Sequence, residues 1–134
     1  MIVEVSRVSE VYLPNLLGHD ESLLAQHEFC NSRSTAIWLA RVDGVEAGAC
    51  GIIPGSIFAD EAYLWMIHTK ICEQHPIHFI RWSRKILNEV LLECPSLFGL
   101  CRVDNDYGRQ WLTWLGMRFE PTVHNGLIGF RVGK

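Results

Sequence analysis

The sequence predicts an α/β (α+β) fold: a mixed, mainly antiparallel sheet flanked by helices and built around a central strand–helix–strand crossover. Three observations carry that expectation. Ala62–Gly116 reads as strand, loop, long amphipathic helix, strand and short helix, an order that lays two strands parallel with a helix against the sheet. Asp43-Gly44 separates two apolar runs, and such a pair favours a two-residue hairpin because a type I′ turn needs positive φ at both central positions. Asn125-Gly126 repeats the signal near the C-terminus.

The chain has 134 residues, which suits a single domain over 1–134 with a real core. Its 49% hydrophobic and 20% charged content is that of an ordinary globular protein. A net charge of −3 argues against a nucleic-acid coat, which needs a basic surplus. No apolar run approaches the roughly 20 residues that span a bilayer. MIVEVSRVSE lacks the basic-then-apolar pattern of a signal peptide, so the cytoplasm is the expected compartment. Five cysteines, at 30, 50, 72, 94 and 101, include no C-x-x-C pair and predict reduced thiols, with Cys50, Cys94 and Cys101 buried.

In chain order, Ile2–Val5 alternates apolar and polar residues and predicts a short opening strand. From Ser9 to about Cys30, positions such as Val11, Leu13, Leu16, Leu23 and Leu24 predict helix broken near Pro14 and Gly18. Asp20 is placed to cap a second piece beginning at Glu21, and Asn31, Ser32 and Arg33 read as a polar loop. Ala36–Val42 and Val45–Ile53 form the first hairpin, in which Gly48 and Gly51 mark a bulge or close packing. Pro54-Gly55 ends it, and a loop through Asp60 leads on. Tyr63–Thr69 is apolar on both faces, as suits a central strand. Ile71–Phe79 reads as the loop before the long helix, whose stripe of Ile77, Ile80, Ile86, Leu87, Val90 and Leu91 ends at Pro95. Leu97–Val103 is the next strand, and Phe119–Val132 the closing hairpin.

This order of elements, together with the run Val103–Phe119, VDNDYGRQWLTWLGMRF, resembles the GCN5-related N-acetyltransferase superfamily over nearly the whole chain. In that superfamily an Asn after the fifth strand precedes a short helix ending in an apolar-Gly-aromatic turn, to which Asn105 and Leu115-Gly116 correspond here, with Met117 at the aromatic position. A narrower resemblance, through Trp65–Lys85 and Trp114-Leu115-Gly116, is to the acetyltransferase-like internal virion proteins of short-tailed bacteriophages. The first implies a coenzyme-A-dependent N-acyltransferase acting on a primary amine. The second implies an inactive relative serving virion structure or assembly through protein contacts, in host cytoplasm or virion.

Two departures bear on the chemistry. The superfamily's phosphate loop, Gln/Arg-x-x-Gly-x-Gly/Ala, belongs just before the long helix, where this chain has Cys72-Glu-Gln-His-Pro-Ile-His-Phe-Ile without a glycine. Such glycines let backbone N–H groups close on a pyrophosphate, and Pro76 has no N–H to give. The tyrosine that protonates the leaving thiolate in many members is replaced by Leu112.

His68, near the carboxyl end of the central strand, is the first candidate base, against a reading as a half-buried, hydrogen-bonded histidine. Glu61 and Glu73 are alternatives acting through a water, and Tyr107 lies near the expected acid. The resemblance implies acetyl-CoA as cofactor, met by Met66, Ile67 and Thr69 and by His75, Ile77, His78 and Phe79, with Asn105 from the family motif. Arg81, with Arg84 and Lys85, stands in the first half of the helix, where the dipole disfavours cations unless a phosphate binds; an ordinary solvated face is the alternative. Cys72, His75 and His78 are metal-ligand types at spacings of three, but without a fourth ligand no metal is expected. Trp111 and Trp114 suit core packing or a self-association patch better than a ligand platform. Neither a G-x-S-x-G elbow nor a Walker loop is present.

Overall fold

The computed structural model describes residues 2–55 and 61–133, so the expected connection through Asp60 lies outside the described residues. The elements are β1 (Val3–Val8), α1 (Pro14–Leu17), α2 (Glu21–Arg33), β2 (Ala36–Val42), β3 (Val45–Pro54), β4 (Glu61–His68), α3 (Lys70–Gln74), α4 (Pro76–Glu93), β5 (Ser96–Arg102), α5 (Asp106–Trp114), β6 (Arg118–His124) and β7 (Leu127–Gly133). The strands form one sheet, in the order β1-β2-β3-β4-β5-β7-β6. The pairs β1–β2, β2–β3, β5–β7 and β6–β7 are antiparallel and β4–β5 is parallel, the mixed sheet the crossover and the two hairpins require. Two compact units divide the chain: Met1–Pro54 with Leu64–His75, and Gly55–Tyr63 with Pro76–Lys134.

In the first unit, β2 and β3 turn on Asp43 (φ 49°) and Gly44 (φ 82°), a pair of positive angles that matches a type I′ turn. Their register jumps at Ala40/Arg41, with Ala40 facing Gly48 and Arg41 facing Glu46, so Ala47 is the extra residue of a β-bulge. A Cβ on Gly51 would stand 2.6 Å from the Trp65 ring, so the second glycine marks close packing. The Trp65 indole donates to Ser34 Oγ at 2.6 Å, and that hydroxyl donates to Cys30 O at 2.6 Å. Asp20 caps α2 as expected, its carboxylate accepting from the N–H groups of Ser22 and Leu23 at 3.0 and 3.2 Å.

Two local expectations fail here. Val11–Leu13 precedes the helix rather than joining it, since α1 begins at Pro14. Asn31–Arg33 is the last turn of α2 and not a loop. Buried Asn31 makes two bonds to one residue, accepting from Val11 N–H at 3.0 Å and donating to Val11 O at 2.8 Å. A polar residue that finds backbone partners in this way is tolerated inside.

In the second unit, Glu61, Ala62 and Tyr63 of β4 pair with Ser96, Leu97 and Phe98 of β5. The 18-residue α4 buries Phe79, Leu87 and Val90. Asn105 caps α5, its Oδ1 accepting from Gly108 N–H at 3.0 Å. That helix ends as a Schellman motif: Gly116 (φ 87°) donates to Thr113 O, Met117 N–H reaches back to Leu112 O, and Leu112 and Met117 are both buried. Arg84 Nη2 donates to Trp114 O at 2.9 Å, placing a cation on the C-terminal end of α5. The closing hairpin turns on Asn125 (φ 52°) and Gly126 (φ 76°).

Candidate active site

His68 ends β4, the central strand, with its side chain 21% exposed. Thr69, next to it, stops the strand and starts α3: its hydroxyl oxygen accepts from Ile71 N–H at 3.3 Å. The segment from Ile71, expected as loop, is therefore helical over Lys70–Gln74 and again from Pro76. A capping threonine and a proline at the first helical position are the local reasons.

Ala47 O, the carbonyl of the bulge, accepts from Thr69 N–H at 3.0 Å, from Thr69 Oγ1 at 2.8 Å and from Cys72 Sγ at 3.2 Å. Both donors of Thr69 are thus committed to β3, and what Thr69 contributes to the site is position. Cys72 is 2% exposed, and burial pushes its thiol up to about 11, so it stays protonated at neutral pH. All five cysteines are free thiols; Cys94 and Cys101 are buried, whereas Cys50 is half-buried by exposed surface.

Glu73 Oε1 lies 3.6 Å from His68 Nε2. Burial lowers the His68 pKa below its ordinary value, and the charge and hydrogen bond of Glu73 oppose that shift only in part. The imidazole is thereby neutral at pH 7, with a lone pair to accept a proton. Of the other residues singled out on β4, Ile67 is buried and Met66 half-buried. Glu61 stands at the opposite end of that eight-residue strand, where its carboxylate takes Arg131 Nη1 at 2.7 Å. The structure does not bring Glu61 and His68 together.

In the second unit, Pro76, Ile77 and His78 form an exposed first turn of α4, while the Phe79 side chain points inward at 5% exposure. Arg81 follows on the same helix, also exposed. Asn105 spends its oxygen on the α5 cap, and Tyr107 sits half-buried in the first turn of that helix. His75, half-buried, joins α3 to α4 and donates its N–H to Cys72 O. Among the described residues, no group of three or more His, Cys, Asp or Glu side chains is arranged to hold a metal ion.

The sequence did not reveal the part played by Ala47, which acts through a backbone carbonyl that every residue type carries. The one signal was Gly48, read as a possible bulge. The closeness of Glu73 to His68 was also hidden, because it follows from a five-residue helix where a loop was expected.

No family model matches the sequence, and no curated protein matches it. Solved structures do. An IAA acetyltransferase from Bacillus cereus is similar over 99% of this chain and 100% of its own, at a TM-score of 0.69 and 12% identity. A Bacillus subtilis acetyltransferase in complex with CoA matches over 99% of both chains, at a TM-score of 0.69 and 10% identity. A Campylobacter jejuni N-acetyltransferase in complex with acetyl coenzyme A does so over 99% of both, at 0.63 and 9%. The chain has an acetyltransferase fold. On that fold, the segment expected to carry a glycine phosphate loop holds α3 and the start of α4 instead, and Leu112 is buried against the terminal turn.

Proposed function

We propose that this protein is an acetyl-CoA-dependent N-acyltransferase acting on a primary amine, with residues 1–134 working as one domain. The observation that carries the reading is His68, a half-buried imidazole kept neutral at the end of the central strand of an acetyltransferase fold. The CoA-bound and acetyl-CoA-bound neighbours support the cofactor. A spermidine N-acetyltransferase chimera and a ribosomal-protein-alanine N-acetyltransferase of the same fold support an amine acceptor.

The residues at the start of α4 suit the cofactor's diphosphate despite the missing glycines. The first N–H groups of a helix have no intrahelical acceptors and carry the positive end of its dipole. At α4 that end is exposed at Pro76, Ile77 and His78, with exposed Arg81 one turn further on. The backbone of Ile77, His78 and Phe79, together with Arg81, would hold the diphosphate. Met66 and Ile67 would meet the thioester arm along β4. When bound, acetyl-CoA supplies an activated acyl carbon that forms a C–N bond with the amine as its C–S bond breaks. His68 takes the proton released by the amine nitrogen.

Calorimetric titration with acetyl-CoA, and then with CoA, tests the reading. Saturable binding near micromolar, about −8 kcal/mol, is expected. No binding at millimolar ligand would overturn it. A second reading is a non-enzymatic protein of the same fold, of the phage structural or assembly kind. It is favoured by the helix that replaces the phosphate loop and by buried Leu112, and it requires that calorimetry show no binding.

A further inference from the structure

The end of β4 is held by backbone chemistry. The bulge in β3 brings Ala47 O to three donors, two from Thr69 and one from Cys72. Gly48, beside it, permits the close approach: a Cβ there would lie 3.0 Å from Ile67 O and 3.4 Å from Cys72 Sγ. Thr69 fastens to that oxygen and caps α3 at once. The helix that carries Glu73 is therefore anchored one residue after the histidine that Glu73 faces at 3.6 Å.

The geometry points to Glu73 as the positioning residue of this site: a carboxylate delivered by the Ala47 bulge and the Thr69 cap that sets the orientation and tautomer of His68. The inference rests on the acyltransferase reading. A carboxylate beside Nε2 favours the proton on that nitrogen and so fixes the tautomer of the base. As the imidazole takes up the amine's proton, it gains the charge of Glu73 as partner. The glutamate side chain is 45% exposed.

Other titratable groups on the neighbouring elements do not take this role. On β3, Glu46 pairs with Arg41 at 3.6 Å, and burial holds the Cys50 thiol protonated, up to about 12. On α3, Cys72 donates to Ala47 O and Glu73 acts on the charge of His68, while Lys70 and His75 stand at the two ends of the helix.

The test compares wild type with E73Q and E73D, following the His68 imidazole by NMR across pH and measuring turnover beside it. His68→Gln assigns the resonance. Removing the carboxylate charge should move the His68 midpoint, and the acid limb of kcat/KM, to lower pH. It should also lower kcat about tenfold with KM for acetyl-CoA unchanged, and E73D should restore part of both. An unmoved midpoint, or E73Q turnover equal to wild type, overturns the positioning role while the acyltransferase reading stands. Failure of the wild type to bind and turn over acetyl-CoA overturns both.

Discussion

At the residue scale, two polar side chains inside the first unit do opposite work. His68 is buried enough to lose its charge at neutral pH, and a neutral imidazole is a usable base. His68→Ala should lower kcat/KM by roughly 10²- to 10⁴-fold while leaving acetyl-CoA binding intact in calorimetry. The same shift has a stability sign. A folded-state pKa below the unfolded 6.5 means that the folded form binds fewer protons. The contribution is complete above 6.5 and is lost as pH falls through the folded value. Urea unfolding of wild type against His68→Gln should therefore show a difference that varies with pH below 6.5 and is flat above it. Asn31, by contrast, is neutral at every pH and serves structure alone. Asn31→Ala leaves Val11 N–H and C=O buried without their partner and should cost about 1–3 kcal/mol, read as a lower midpoint in urea.

At the element scale, the ends of helices and strands decide where side chains go. The Schellman turn after α5 places Gly116 at φ 87° and seats Leu112 under Met117. Gly116→Ala meets the left-handed penalty and should destabilise by about 1–2 kcal/mol, measurable as a fall in thermal midpoint. The same turn explains why Leu112 offers no acid: its side chain is the apolar partner of the motif. In the first unit, Gly51 lets β3 pass under the Trp65 ring. Gly51→Ala should cost about 1–3 kcal/mol through overpacking, with a loss of near-UV tryptophan signal as its second readout.

At the scale of the whole molecule, β4 belongs to both compact units, with Glu61–Tyr63 in one and Leu64–His68 in the other. Neither unit holds the complete strand, so heat should unfold the protein in one calorimetric transition; two separated transitions would contradict the single-domain reading. Ligand linkage gives a further check. Acetyl-CoA at a hundredfold excess over its Kd should stabilise the folded state by about 2.7 kcal/mol, an upward shift of roughly 10 °C in a chain this size.

Much of this molecule was legible in the order of its residues, and the legible parts share a cause. Both hairpins, the Asp20 cap, the Pro95 stop and the Leu87–Val90 part of the α4 stripe depend on neighbours within a few positions, where φ preference and periodicity act directly, whereas Ile77, expected on that stripe, is 71% exposed. The crossover and the mixed sheet followed from their order. Tertiary structure alone decided the rest. Asn31 reads as loop until Val11 supplies two backbone partners from 20 residues away. Ile71–Gln74 reads as loop until Ala47, on another strand, anchors Thr69 and lets a five-residue helix persist. The meeting of His68 with Glu73 depends on that anchoring, and a backbone carbonyl leaves no mark in a sequence.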